Sequence, residues 1–144
     1  MTKITYRTAS PEDVTQLLEL LEALGYAANE RDLGQRLRQI EGQGHRVFVA
    51  EKDGELVGCV QALIDIRLAE GRVGEVVSLV VKPPARGTGI GQGLLHEATE
   101  WLQAMGCSQI RVRANTIRAE AHQFYIAQGF SETKTQKIFL RKSG

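Results

Sequence analysis

Residues 72–81 constrain the fold more than any other stretch. Val73, Val76, Val77, Leu79, Val80 and Val81 fall on both faces of an extended backbone, too continuously apolar for a strand with one side in water. A strand of this kind belongs inside a sheet covered on both faces. Pro83 and Pro84 stop it. A long helix is predicted over residues 89–105, with Leu94, Leu95, Ala98, Leu102 and Met105 at helical spacing and Trp101 at the edge of that face.

The remaining segments supply neighbours for that strand. Residues 4–7 alternate like a short first strand. Ser10, Pro11, Glu12 and Asp13 then open a helix with Val14, Leu17, Leu18, Leu21 and Leu24 on its apolar face, ended by Gly25. Asn29 is placed to cap a second helix that turns Leu33, Leu37 and Ile40 inward and stops at Gly42 and Gly44. Residues 47–50 and 56–60, joined through Lys52, Asp53 and Gly54, read as a hairpin, its second arm continuing through Ile64 and Ile66. After Gly106, residues 110–114 read as a strand. Residues 116–128 read as a helix with Ala121, Phe124 and Tyr125 on one side, ended by Gly129. Phe130 and residues 137–140 are predicted to add the last strands. The order β, α, α, β, β, β, α, β, α, β, β describes a mixed α/β protein with a single sheet.

The 144 residues suffice for one domain burying roughly 70% of its unfolded surface, and no repeat or Pro/Ser-rich linker divides them. A single domain over residues 1–144 is therefore expected. With 42% apolar and 24% charged residues the chain is too apolar for disorder. A net charge of +1 gives no reason to expect nucleic acid or an anionic membrane as partner. No apolar run approaches the ~18–20 residues of a membrane span, and residues 1–7 lack the apolar stretch of a signal peptide, so a reducing cytoplasm is the expected compartment. Cys59 and Cys107 match neither a CxxC nor a zinc spacing; they read as small buried residues, and no metal is expected.

The turn between the apolar strand and the long helix carries the chemistry. Arg86, Gly87, Thr88, Gly89, Ile90, Gly91, Gln92 and Gly93 lead directly into the helix. A helix start leaves backbone N–H groups without partners and aims them, with the positive end of the dipole, into the loop. Glycine lets the main chain approach a ligand closely, and Arg86 adds a fixed positive charge. The expected occupant is an anion, above all a phosphate or pyrophosphate. The lysine of a P-loop is missing, and the dinucleotide pattern Gly-x-Gly-x-x-Gly fails in both registers, at Gln92 and at Leu94. A turn that only packs helix on strand would use the same glycines; Arg86 and the buried strand before it favour the anion.

Arg86-x-x-Gly89-x-Gly91 resembles the Gln/Arg-x-x-Gly-x-Gly/Ala signature of the GNAT family of N-acetyltransferases, placed as in them after a central strand. Asn115, Ala121, Phe124, Tyr125, Gly129 and Phe130 are spaced like that family's second signature. The motifs cover the two halves of residues 79–130, and the order of elements extends the likeness across nearly the whole chain. It departs at Ala85, where the family often has a large residue, at the double proline, and at Arg118, where many members place a second asparagine.

The resemblance implies an acyl-CoA N-acyltransferase-like fold, a mostly antiparallel twisted sheet flanked by helices. It also implies acetyl transfer from acetyl-CoA to a primary amine by direct attack in a ternary complex. Carried onto this sequence, Arg86, Gly87, Thr88, Gly89, Ile90, Gly91 and Gln92 would bind the pyrophosphate. Leu79 and Val81 would pair with the pantetheine arm in a gap between the strands 72–81 and 110–114. An N–H of Leu79 or Val80 would face the thioester carbonyl, and Asn115 would contact the coenzyme from the other side. Tyr125 matches the family tyrosine that protonates the leaving thiolate; thiols titrate near 8.5 and phenols near 10.

The attacking amine must lose a proton although its pKa is about 10. Glu75, which interrupts the apolar strand, is the candidate base through water, an exposed strand-start glutamate being an equal reading; His122 is a second candidate, for which an exposed helical histidine is the plainer reading. His45 and His96 have no partner at informative spacing. Substrate choice is expected in the first two helices, their connection 25–29 and the loop 131–136. Glu30, Asp32 and Glu41 would attract a cation, though a solvated helix face explains them better, and Arg31, Arg36, Arg38 and Arg46 would equally attract an acid-bearing amine. A homodimer paired through the C-terminal strand is compatible with the sequence. A non-catalytic acyl-CoA-binding sensor, or a module for another phosphate ligand, would use the same loop.

Overall fold

In the computed structural model, which describes residues 3–114 and 116–143, five strands form one sheet in the order β1-β2-β3-β4-β5. They are β1 (Ile4–Thr8), β2 (Arg46–Lys52), β3 (Glu55–Arg67), β4 (Gly71–Val81) and β5 (Ile110–Val112). The first three junctions are antiparallel and the β4–β5 junction is parallel. Helices α1 (Val14–Glu22) and α2 (Glu30–Gly42) precede β2, and α3 (Ile90–Ala104) links β4 to β5. The chain separates into two units, Met1–Val112 and Arg113–Gly144, so the whole sheet lies in the first.

Both faces of the sheet are covered, and β2 shows how. Val47 and Val49 join the core formed with Leu17, Leu20, Leu33 and Leu37 of α1 and α2. Phe48, between them, points to the other face and meets Trp101 of α3 edge-on at 6.4 Å. The apolar face of α1 centres on Leu17 and Leu20, with Val14, Leu18, Leu21 and Leu24 partly buried around them. Helix α3 lies close to the sheet because Gly58 has no side chain; a Cβ there would run into Leu94 and the Val80 carbonyl. Gly93 of α3 is filled in the same way by the phenol of Tyr6.

Polar groups fix the helix starts. Asn29 Oδ1 accepts from the Asp32 N–H at 2.8 Å, capping α2 as expected. Ahead of α1, a 3₁₀ turn at Pro11–Asp13 buries Asp13, whose Oδ2 accepts from the Ser10 N–H at 2.7 Å. Arg7 donates to both Asp13 oxygens, at 2.8 and 2.9 Å, and to Glu51 at 2.8 Å. The Arg7 hydrogen bonds hold the Asp13 carboxyl below its ordinary range, against the desolvation that would raise it.

The second unit contains α4 (Ala119–Ala127), followed by Gly129 in the left-handed conformation at φ +93°. The strands expected at Phe130 and residues 137–140 do not form; the described residues from 130 to 143 carry no strand. Extended sequence becomes a strand only with a ladder partner, and here Ile138, Phe139 and Leu140 stay 79%, 89% and 85% exposed. Apolar composition at residues 137–140 favours a strand, but composition alone supplies no neighbour. Among the described residues no helix is long and apolar enough to cross a membrane.

Candidate active site

Strand β4 is paired on both sides only in its first half. Gly74, Glu75 and Val76 stand opposite Ile110, Arg111 and Val112 of β5, where β5 ends, two residues short of the strand expected over 110–114. Past Val76, β4 keeps β3 alone as neighbour among the described residues. Its register on β3 also slips, from Gln61↔Val77 to Cys59↔Val80. The extra residue is accommodated at Ser78, which sits at φ +55°, a left-handed conformation unusual for a residue with a Cβ. The Cys59 thiol lies 3.8 Å from the Ser78 carbonyl oxygen, in position to donate to it.

This pairing decides which main-chain groups are exposed to the gap. The Lys82 N–H donates to the Val57 carbonyl at 2.8 Å, so Lys82 and its alternate Val80 turn their polar groups toward β3. Val81 and, across the bulge, Leu79 turn theirs to the side that β5 has vacated. The Val81 carbonyl accordingly accepts from Arg86 Nε at 3.1 Å and not from a strand. Of Leu79 and Val80, it is Leu79 whose N–H faces the gap.

The loop follows at once. A 3₁₀ turn at Pro83–Ala85 is braced by Thr88 Oγ1, which donates to the Ala85 carbonyl at 2.5 Å. Gly87 and Gly89 take φ values of +80° and +86°, and a Cβ on either would meet nothing within 4 Å. They are glycines for conformation, and the space beside them is open. Gly89 caps α3, whose first intrahelical bond runs from the Gly93 N–H to the Gly89 carbonyl at 3.0 Å. The N–H groups of Ile90, Gly91 and Gln92 precede that bond and point out of the helix start. This is the geometry of an anion cradle, with Gly93 reserved for Tyr6.

On the paired half, Glu75 is not a lone carboxylate. Arg111 Nε donates to it at 2.6 Å, and the same guanidinium reaches Asp65 at 2.8 Å and Glu70 at 3.2 Å. The Glu75 side chain is 12% exposed. The parallel β4–β5 register brings Glu75 and Arg111 side by side, a pairing the sequence could yield only if that register were known.

A cavity of about 340 Å³ adjoins the bulge. Its sheet wall includes Cys59, Gln61 and Ser78, and its helical wall includes Leu17, Leu21, Leu33, Arg36 and Leu37. Tyr26, Ala27 and Ala28 of the α1–α2 connection also line it, the segment expected to govern substrate choice. Burial pushes the Cys59 thiol up to about 12, so it is no nucleophile at neutral pH. Among the described residues no group of His, Cys, Asp and Glu is placed to hold a metal ion.

In the second unit, Tyr125 is half-buried on α4 and meets Phe124 and Phe130 edge-on, at 5.4 and 5.8 Å. Burial raises its phenol above the ordinary 10.0, opposed by the nearby Arg118 charge. Asn115 lies outside the described residues.

The sequence model of the acetyltransferase (GNAT) family matches residues 14–130, a span holding the cradle, the divided strand and Tyr125. The chain belongs to the GNAT acetyltransferase family. With that membership goes the GNAT reaction, acetyl transfer from acetyl-CoA to an amine. An IAA acetyltransferase of Azospirillum brasilense is 34% identical over 137 residues, 92% of this chain and 87% of that protein. An aminoalkylphosphonate N-acetyltransferase of Salmonella typhimurium is 32% identical over 110 residues, 76% of this chain and 65% of that protein. The aminoglycoside N-acetyltransferase AAC(6')-Iy, solved in complex with CoA, shares the fold with a TM-score of 0.88 over 99% of this chain and 96% of that one, at 21% identity.

The GNAT coenzyme asks for a diphosphate cradle and a main-chain edge, and the residues present fit both. The open space beside Gly87 and Gly89 leaves room for phosphate oxygens near the helix-start donors. The gap-facing groups of Leu79 and Val81 provide the edge.

Proposed function

We propose that this chain transfers the acetyl group of acetyl-CoA to a small primary amine by direct attack, with the amine lodged in the cavity between α1, α2 and the sheet. The observation that carries this reading is the divided β4, which leaves Leu79 and Val81 open between an anion cradle and an apolar cavity. When bound, acetyl-CoA supplies the acetyl thioester. Arg86, Gly87, Thr88, Gly89, Ile90, Gly91 and Gln92 hold the pyrophosphate. Leu79 and Val81 align the arm, Leu79 N–H rather than Val80 N–H faces the carbonyl oxygen, and Asn115 adds a second contact.

In the transfer the amine nitrogen bonds to the acetyl carbon and the carbon–sulfur bond breaks. The proton lost by nitrogen passes through water to Glu75, which Arg111 holds in place. The sulfur takes a proton from the Tyr125 phenol. Burial keeps that phenol protonated at neutral pH, which suits a donor. The protonated Cys59 thiol supports direct attack over a covalent acyl-enzyme. The aminoalkylphosphonate in the name of the Salmonella relative is an amine of the size this cavity takes.

We place residues 1–144 in one catalytic domain, since the family match crosses the boundary between the two units. A reducing cytoplasm suits the buried, unpaired Cys59 and Cys107.

The test is thiol release from acetyl-CoA across a panel of amines, beside thermal shifts with CoA, ATP and NAD. Amine-dependent release, selective stabilisation by CoA, and a drop in kcat of about 100-fold in Tyr125→Phe are expected. Tight CoA binding with no amine acetylated would favour the sensor, and equal stabilisation by all three ligands the general phosphate module.

A further inference from the structure

We infer that the acceptor carries an acidic group on a compact apolar body, at the end away from its amine, and that Arg36 reads that acid. The inference rests on the acetyl-transfer reading above and names the substrate class for it.

The apolar stripe of α2 runs through Leu33, Leu37 and Ile40, and Arg36 occupies the i+3 position of the same stripe. Leu33 and Leu37 are buried and Arg36 is exposed, so its charge stands at the rim of a cavity whose interior is apolar. A leucine at this position would complete the stripe; the arginine leaves a cation over the cavity instead. No Asp or Glu lines that cavity, and Arg36 is its one charged residue among those described.

Outside α2 the arginines of the first unit are occupied, so the arginines of that unit without a partner among the described residues are those of α2, Arg31, Arg36 and Arg38. Arg7 is held by Asp13 and Glu51, Arg67 by Asp65, and Arg111 by Asp65, Glu70 and Glu75. Arg72 donates to the Met105 carbonyl and Arg86 to the Val81 carbonyl. Among the described residues Arg36 has neither an ion-pair nor a hydrogen-bond partner. The sequence left Arg31, Arg36, Arg38 and Arg46 equally able to attract an acid. Arg46 lies over the Trp101 ring, 5.2 Å from its centre, and Arg31 and Arg38 do not line the cavity, so Arg36 alone is placed for it.

The two ends of the cavity set the order of groups in the ligand. Ser78, on the sheet wall, precedes Leu79, whose N–H faces the gap; the amine belongs at that wall. Arg36 stands on the α2 wall, and the acid belongs there. Leu17, Leu21, Leu33 and Leu37 between them take an aliphatic or aromatic body. A carboxylate and a phosphonate share the chemistry that answers a guanidinium.

The test uses the full chain with saturating acetyl-CoA and three probes of one shape: 4-(aminomethyl)benzoate, 4-(aminomethyl)phenylphosphonate and 4-methylbenzylamine. At least one acidic probe should show a KM lower by about tenfold than the neutral amine, a preference that weakens with salt. Which acid is preferred separates the carboxylate source from the phosphonate source. Arg36→Gln should erase the preference and Arg36→Lys restore part of it. Equal KM values for acidic and neutral probes, or a preference surviving Arg36→Gln, would overturn the inference while acetyl transfer stands. Acetylation of none of the probes by a chain that acetylates other amines would also overturn it. Binding of the benzoate probe, followed by amide shifts at Arg36 and Ser78, reads the cavity without turnover. If those shifts appear but CoA does not bind, the acetyl-transfer reading fails and the acid-reading cavity remains.

Discussion

From Gly74 to Val76, β4 has a neighbour on each side; from Val77 to Val81 it has one. In the first half the polar group that matters is a side chain, Glu75, and it is tied down by Arg111. In the second half the polar groups that matter belong to the main chain at Leu79 and Val81, and among the described residues no strand takes them. Valines run along the whole strand, at Val73, Val76, Val77, Val80 and Val81. Burial is therefore dictated by the residues, whereas the offer of hydrogen bonds is dictated by where the partner strand stops. Apart from the Val81 carbonyl, which Arg86 holds, these half-buried main-chain groups are left to pair with an extended ligand. One half of the strand is scaffold, the other a template.

The sharpest way to break that division is chemical. Exchanging the Leu79 amide for an ester removes one N–H and should lower kcat by about 10²–10³-fold. The same exchange at Val80, whose N–H belongs to the β3 ladder, should cost about 1 kcal/mol of stability in urea denaturation and spare the rate. Equal rate losses at the two sites would erase the distinction between the faces of β4. On the scaffold half, Arg111→Met leaves Asp65, Glu70 and Glu75 facing one another and should destabilise the fold by about 2 kcal/mol, read from the urea midpoint.

At the boundary between the halves, Ser78→Val forces a β-branched residue into the left-handed region. A loss of about 1–2 kcal/mol is expected, with Ser78→Gly tolerated. The smallest effect lies off β4 altogether. Asp13 has its folded pKa below the ordinary 3.8 because Arg7 donates to it. Its contribution is thus present above that ordinary value and lost as pH falls through the depressed one. Asp13→Asn should flatten the acid limb of stability measured between about pH 5 and pH 2.

Much of this was legible in the residues because it is local. The run 72–81 announced a buried strand, the prolines its end, and Arg86, Gly87 and Gly89 the turn; each acts through its own backbone or its neighbours'. The order of elements from β1 to α4 followed from periodicity for the same reason. What stayed hidden depends on distant partners. Nothing about Ser78 marks it as the bulge, since the extra residue exists only relative to Gln61 and Cys59 on β3. That Arg111 would hold the candidate base Glu75 in place stayed hidden until the parallel register set the two side by side. Gly93 looked like one more loop glycine, and its role is to admit Tyr6. Residues 137–140 failed for the converse reason: they have strand composition but no neighbour to bond. The four arginines of the substrate region could not be ranked until the cavity showed which one it holds.

The central claim is that the start of α3 and the open half of β4 together receive the coenzyme. Titrating the ¹⁵N-labelled chain with CoA tests it most directly. The account predicts that the amides of Gly87, Thr88, Gly89, Ile90, Gly91 and Gln92 shift together with those of Leu79 and Val81, while Val80 moves little. Saturation that leaves the loop and strand amides in place, with shifts gathered elsewhere, would contradict it.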